Sequence, residues 1–153
     1  TPKTFDNKIF VAGFFYTHCP TLCHVINGYI DSLSRNYVKS ELAYFVSVTV
    51  DPQRDSVKAL DHYSRQFAHP GPKWSFLTGD TATVYPLHRQ GFLLTVMDEG
   101  KGDFIYPDKL VLVDSHKRIR GYYDISIKEV TRLNDEIKVL MLEEYRSKEK
   151  PLY

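Results

Sequence analysis

Apolar and polar positions fall into alternating blocks along this 153-residue chain. The run Ile9-Phe10-Val11-Ala12-Gly13-Phe14-Phe15-Tyr16 is apolar throughout and predicts a buried strand over 8–16. Leu22, Val25, Ile26, Tyr29, Ile30 and Leu33 then recur at helical spacing and predict a helix over 22–37 with one apolar face. A second apolar run, from Leu42 to Val50, is rich in β-branched residues and predicts a strand over 41–50. Strand, helix, strand in this order implies a parallel βαβ unit with a right-handed crossover.

Downstream, Pro52 stops the second strand within Asp51-Pro52-Gln53-Arg54-Asp55-Ser56. Asp55 or Ser56 is placed to cap a helix over 56–67, with Val57, Leu60, Tyr63 and Phe67 on one face. His69-Pro70-Gly71-Pro72 ends that helix. A short strand over 74–77, a short helix over 81–90, a strand over 92–97 and a loop over 98–103 follow. Residues 109–114 and 118–123 flank Ser115-His116-Lys117 and predict a hairpin. Val130, Leu133, Ile137, Leu140 and Met141 predict a last helix over 127–147, its charged end from Glu143 fraying into solvent. No repeat, low-complexity run or boundary interrupts the pattern, so one domain over 1–153 is expected. The order is β-α-β-α-β-α, a hairpin and a covering helix. That is an α/β, thioredoxin-like fold, a mixed central sheet flanked by helices.

Composition changes this picture little. Twenty Lys and Arg against nineteen Asp and Glu give a net charge of +1, which argues against a nucleic-acid partner. Eleven Tyr and nine Phe predict a core rich in rings. No stretch reaches the roughly 18 apolar residues of a membrane span, and no signal peptide is visible. The chain starts at Thr1, a few residues before its first strand, so removal of an upstream signal or anchor is the expectation.

The only two cysteines, Cys19 and Cys23, fall where the first strand ends and the first helix begins. A helix N-terminus stabilises a thiolate through its partial positive charge and open N–H groups. Cys19, at the lip of the turn, is expected to be the more reactive thiol. Cys23 follows one helical turn later, with Cα atoms about 6 Å apart, within reach of a disulfide. Reduced, the pair is a soft two-sulfur claw of the kind that selects Cu(I), zinc or iron–sulfur clusters, though two sulfurs fall short of a closed zinc site. Two ordinary buried cysteines are the alternative. A permanent structural disulfide closing so short a loop gains little chain entropy.

Asp51 and Arg54 are expected at the same sheet edge as the cysteines, where α/β sheets place their sites. The competing reading gives Asp51 and Asp55 only capping roles and Arg54 only a pairing one. Among the histidines, His18 sits in the turn and could approach the sulfurs as a third ligand. His24 is rotated about 100° from Cys23 along the helix and points elsewhere. His62, His69, His88 and His116 receive no role.

These segments resemble the Sco/SenC proteins. Phe14-Phe15-Tyr16-Thr17-His18-Cys19-Pro20-Thr21-Leu22-Cys23 resembles the family's F-F-x-T-x-C-P-T-x-C motif, and Val50 to Ser56 its V-D-P-x-R-D-[TS] segment. Trp74 to Gly79 resembles its W-x-F-L-T-G, and Leu112-Val113-Asp114 with Arg118 to Tyr123 its closing hairpin. The resemblance implies a thioredoxin-like fold, usually tethered to a membrane and facing the periplasm or the mitochondrial intermembrane space. It also implies a role in assembling the copper centre of cytochrome c oxidase. The partner would then be a respiratory oxidase subunit or another thiol or copper protein, with membrane contact only through a missing N-terminal anchor.

Family members bind copper through two cysteines and one histidine, and some reduce a disulfide in the partner. Cys19 and Cys23 occupy the cysteine positions. The family's histidine position falls on Tyr106, and no histidine lies between His88 and His116. A neutral phenol is a poor copper ligand. Three roles stand open. They are thiol–disulfide exchange, with Cys19 attacking and Cys23 resolving, Cu(I) delivery, and a peroxidase-like activity suggested by the Thr17-x-Cys19 spacing.

Overall fold

The structure is a computed structural model that describes residues 7–19, 21–67, 74–79, 97–98, 104–105 and 108–149. Strand β1 (Ile9–Phe15) leads into helix α1 (Leu22–Arg35), followed by β2 (Ala43–Thr49), α2 (Val57–Ser64) and β3 (Trp74–Leu77). Two-residue strands β4 (Met97–Asp98) and β5 (Phe104–Ile105) precede β6 (Lys109–Val113), β7 (Ile119–Asp124) and α3 (Ile127–Glu149). Five strands form one sheet in the order β3-β2-β1-β6-β7. β1 runs parallel to β2 and β2 to β3, while β6 is antiparallel to both β1 and β7, so the sheet is mixed.

Position in the sheet explains the sequence pattern. β1 and β2 lie inside it, and nearly all their residues are buried. A strand covered on both faces reads as a continuous apolar run rather than an alternation. β7 lies at the edge and alternates, with Arg120, Tyr122 and Asp124 exposed and Tyr123 buried. Gly13 lets α1 lie close on β1. A Cβ there would sit 2.5 Å from Ile30 Cδ1 and 3.2 Å from Leu110 Cδ2.

Rings tie α2 and the residues after it to the sheet, with Phe15 stacked on Tyr63 at 5.1 Å, Phe67 edge-on to Trp74 at 5.3 Å and Trp74 tilted against Phe76 at 4.8 Å. A buried polar chain runs beneath them. Trp74 Nε1 donates to Ser47 Oγ at 3.0 Å, Ser47 Oγ to Asn27 Oδ1 at 2.7 Å, and Asn27 Nδ2 to the Tyr63 hydroxyl at 3.3 Å. Burial pushes the Tyr63 phenol up.

Several expectations need correction. Leu22 and Val25 are 41% and 43% exposed, because α1 turns Cys23, Ile26, Asn27, Ile30 and Leu33 inward instead. The buried hydrogen bonds of Asn27 explain why that face includes a polar residue. Val57 is exposed rather than part of the α2 face. The last helix does not fray at Glu143 but continues to Glu149, pinned by Arg120 to Glu143 and Ser115 to Glu144. Met97–Asp98 pairs antiparallel with Phe104–Ile105 at the edges of the stretch read as a loop over 98–103. The predicted helix over 81–90, and the predicted strand over 92–97 except Met97, lie outside the described residues. No helix among the described residues is long and apolar enough to cross a membrane.

Candidate redox and metal site

The turn between β1 and α1 is held by its own backbone and by sulfur. Cys19 N donates to the Tyr16 carbonyl at 3.1 Å. Thr21 occupies the cap position of α1 but makes no side-chain cap bond. Cys19 Sγ does this work instead, accepting the Cys23 N–H at 3.2 Å. An acceptor at the first turn of a helix satisfies one of its open N–H groups. A thiolate in that place gains from both the hydrogen bond and the helix dipole.

Cys19 and Cys23 are joined by a disulfide, with Cα atoms 5.9 Å apart. Cys23 is 0% exposed and packed in the core, whereas Cys19 is partly buried and lies against the edge of that core. The surface beside them carries the exposed side chains of His18, Thr21, Leu22 and Val25.

A buried carboxylate anchors the turn from below. Asp55 is 0% exposed. Its Oδ2 accepts the Thr17 N–H at 3.1 Å and the Thr49 hydroxyl at 2.6 Å, and its Oδ1 accepts the Thr17 hydroxyl. Its carbonyl receives the Thr78 hydroxyl at 2.7 Å, and its N–H donates to the Asp51 carbonyl at 3.0 Å. Asp55 is therefore not the cap of α2. Ser56 is, through its Oγ and the Ala59 N–H. Asp51 is likewise buried and takes the guanidinium of Arg54, which raises the Arg54 pKa through their hydrogen bond. Arg54 thus pairs with Asp51, as the competing reading held, while Asp55 faces inward.

His18, Asp51 and Asp55 place their ligand-type atoms within 4.8 Å of one another. His18 Nδ1 lies 3.2 Å from Thr17 Oγ1. That hydroxyl's proton is directed to Asp55, so in this contact Thr17 Oγ1 stands as the acceptor. His24 stacks on Phe67 at 5.2 Å. Tyr106 lies outside the described residues. The donor set that reduction would free, two sulfurs one helical turn apart, fits a soft monovalent ion such as Cu(I).

Sequence reasoning missed Thr17 and Thr49 as partners of Asp55. The signal was present. Both threonines stand at the carboxyl ends of adjacent parallel strands, where Phe15 pairs with Thr49 across the sheet, and an aspartate follows the second strand. Asn27, one turn after Cys23, carried no sequence signal distinguishing it from a surface residue.

A mixed sheet whose first helix begins at a Cys-x-x-x-Cys disulfide defines a thioredoxin-like thiol protein. The SCO1/SenC family model matches residues 1–142, and the chain belongs to that family. It is 24% identical over 125 residues to the SCO1 protein homolog of Bacillus subtilis (strain 168), a match covering 80% of this chain and 65% of that relative's length. The chain thus spans just under two thirds of that relative.

Three solved structures share the fold. A SCO1/SenC family lipoprotein from Bacillus anthracis str. Ames superposes with a TM-score of 0.83 at 23% identity, covering 91% of this chain and 84% of that one. Copper-bound ScoI of Bradyrhizobium japonicum gives a TM-score of 0.74 at 21% identity, covering 90% and 88%. BsSco gives 0.78 at 18% identity, covering 90% and 82%. It is described with a disulfide switch and as a member of the Sco family of cytochrome c oxidase assembly proteins.

Proposed function

We propose that this chain is a single-domain Sco-type thiol protein acting in assembly of the copper centre of cytochrome c oxidase. Cys19 and Cys23 serve both as a redox pair and as the two sulfur ligands of Cu(I) carried as cargo. One observation carries the reading: the two sulfurs at the head of α1 are close enough to bond to each other. Disulfide and metal-ligating states therefore exclude one another. Opening the disulfide takes two electrons and two protons from a thiol donor and returns two thiols, and only then are both sulfurs available to the ion. The copper-bound and disulfide-switch relatives support the two halves of this cycle. His18, beside Cys19 in the turn, is the proposed third ligand. An oxidising compartment outside the cytoplasm, with a lipid or membrane anchor, fits the closed pair and the lipoprotein relative.

The test is competition for Cu(I) against a calibrated chelator, with reduced, oxidised and Cys19→Ser protein. Sub-micromolar retention by the reduced protein, lost in the other two, is the expected result. Retention that survives oxidation or Cys19→Ser overturns it. A second reading, a thiol–disulfide reductase with no copper role, is favoured by Tyr106 at the family's histidine position. It predicts no retention in any form, together with a mixed disulfide trapped through Cys19 in Cys23→Ser.

A further inference from the structure

We propose that Asp55 and Thr17 are positioning residues that set the reduction potential of the Cys19–Cys23 pair. The inference rests on reading that pair as a redox couple. Two contacts close to the cysteines are local, Cys19 N to Tyr16 O and Cys23 N to Cys19 Sγ, and both move with the turn. The tie from Thr17 to Asp55 spans 38 residues of sequence and uses both donors of Thr17 on both oxygens of one carboxylate.

That carboxylate cannot follow the turn. Thr49 holds it from the end of β2, and Thr78, just past β3, holds its main chain. Thr17 stands two residues before Cys19. While the disulfide is intact, the sulfur–sulfur bond fixes the separation of the two cysteines. Once it is reduced, the Thr17–Asp55 clasp keeps Cys19 over the first turn of α1. A clasp that holds two thiols together raises their effective concentration, as preorganisation does for any intramolecular reaction. The disulfide is then harder to reduce.

The measurement is equilibration with reduced and oxidised glutathione. Two glutathione thiols give two electrons and two protons to the Cys19–Cys23 disulfide, yielding the protein dithiol and one glutathione disulfide. Thr17→Val removes the hydroxyl tie at nearly constant volume. It is expected to make the pair about tenfold easier to reduce, a rise of about 30 mV for this two-electron couple. Thr17→Ser keeps the hydroxyl and is expected to match the wild type. Asp55→Asn should shift the constant in the same direction, and adding Thr17→Val to it should then change little, since the two residues act as one unit.

Asp114→Asn, on the far hairpin, is the control. It lowers the melting temperature and leaves the glutathione constant unchanged. A Thr17→Val constant within twofold of the wild type overturns the proposal while the redox reading stands. A shift of equal size in Asp114→Asn also overturns it, by making the effect one of general stability. A wild type with no measurable couple removes both the redox reading and this inference.

Discussion

Asp114 and Asp55 are both buried in loops beyond strand ends, and they are satisfied in opposite ways. Asp114, 1% exposed, follows β6 and opens the hairpin turn. It accepts the N–H groups of His116 and Arg118 at 2.9 Å each, the Arg118 Nε at 3.0 Å and an Arg120 nitrogen at 3.4 Å. All these partners lie within six residues, and two of them carry charge. Asp55 follows β2 and takes only neutral donors among its described bonds, from Thr17 and Thr49, with Thr78 on its carbonyl. The first aspartate closes a local turn, while the second joins distant segments under the cysteines. A local junction can form as soon as its own hairpin does, whereas a long-range one depends on the assembled sheet.

The sharpest way to break this comparison is to remove each carboxylate in turn. Asp55→Ala leaves the Thr17 N–H, the Thr17 hydroxyl and the Thr49 hydroxyl without their acceptor. Urea unfolding is expected to show a loss of about 3 kcal/mol or more. A loss under about 1 kcal/mol would mean that water replaces the carboxylate at little cost and that the junction is not structural.

Asp114→Asn is expected to cost less, about 1–2 kcal/mol at neutral pH, because its arginine partners are solvent-facing and the loop can relax. This site also has a pH signature. Burial alone raises the Asp114 carboxyl, but the hydrogen bonds from Arg118 and His116 and the Arg118 charge outweigh it and hold the pKa below the usual 3.8. A depressed folded-state pKa contributes stability that is present above the unfolded value and lost as pH falls through the folded one. Wild-type stability should therefore decline as pH drops below about 4, and Asp114→Asn should flatten that part of the curve. An unchanged acid limb in the variant would assign the decline to other carboxylates.

The smallest effect belongs to the same turn. Lys117 has φ 63°, in the left-handed region. Lys117→Gly should remove the Cβ penalty there, offset in part by the greater freedom of glycine in the unfolded chain. The net gain expected is about 0.5 kcal/mol, read as a small rise in melting temperature.

This contrast also separates what the sequence revealed from what it concealed. The hairpin was legible because its determinants are neighbours: apolar runs, a polar three-residue turn and an aspartate within hydrogen-bond reach of its own loop. The order β1-α1-β2-α2-β3 was legible for the same reason, since β1 and β2 are buried on both faces and read as unbroken apolar runs. The meeting of Cys19 and Cys23 followed from helical spacing. Asp55 and Ser56 were both placed to cap α2, and Ser56 does so; the tie of Asp55 to Thr17 stayed hidden, because nothing within six residues pointed toward it. The orientation of α1 was misread at Leu22 and Val25, because burying Cys23 and Asn27 rotates the helix away from its most apolar arc. The hidden tie and the misread face both arise where tertiary contacts overrule local preference, at the head of α1.

The sulfur that accepts the Cys23 N–H also bears on how this protein should be handled at the bench. Serine at position 19 restores an oxygen of the kind helices normally begin on, so that variant subtracts chemistry and spares architecture. Alanine there subtracts both, and any deficit it produces mixes a lost thiol with a loosened first turn. Alkylating reagents thicken the same atom and disturb the start of the helix. Of the three, serine is the blank against which thiol reactivity is best measured.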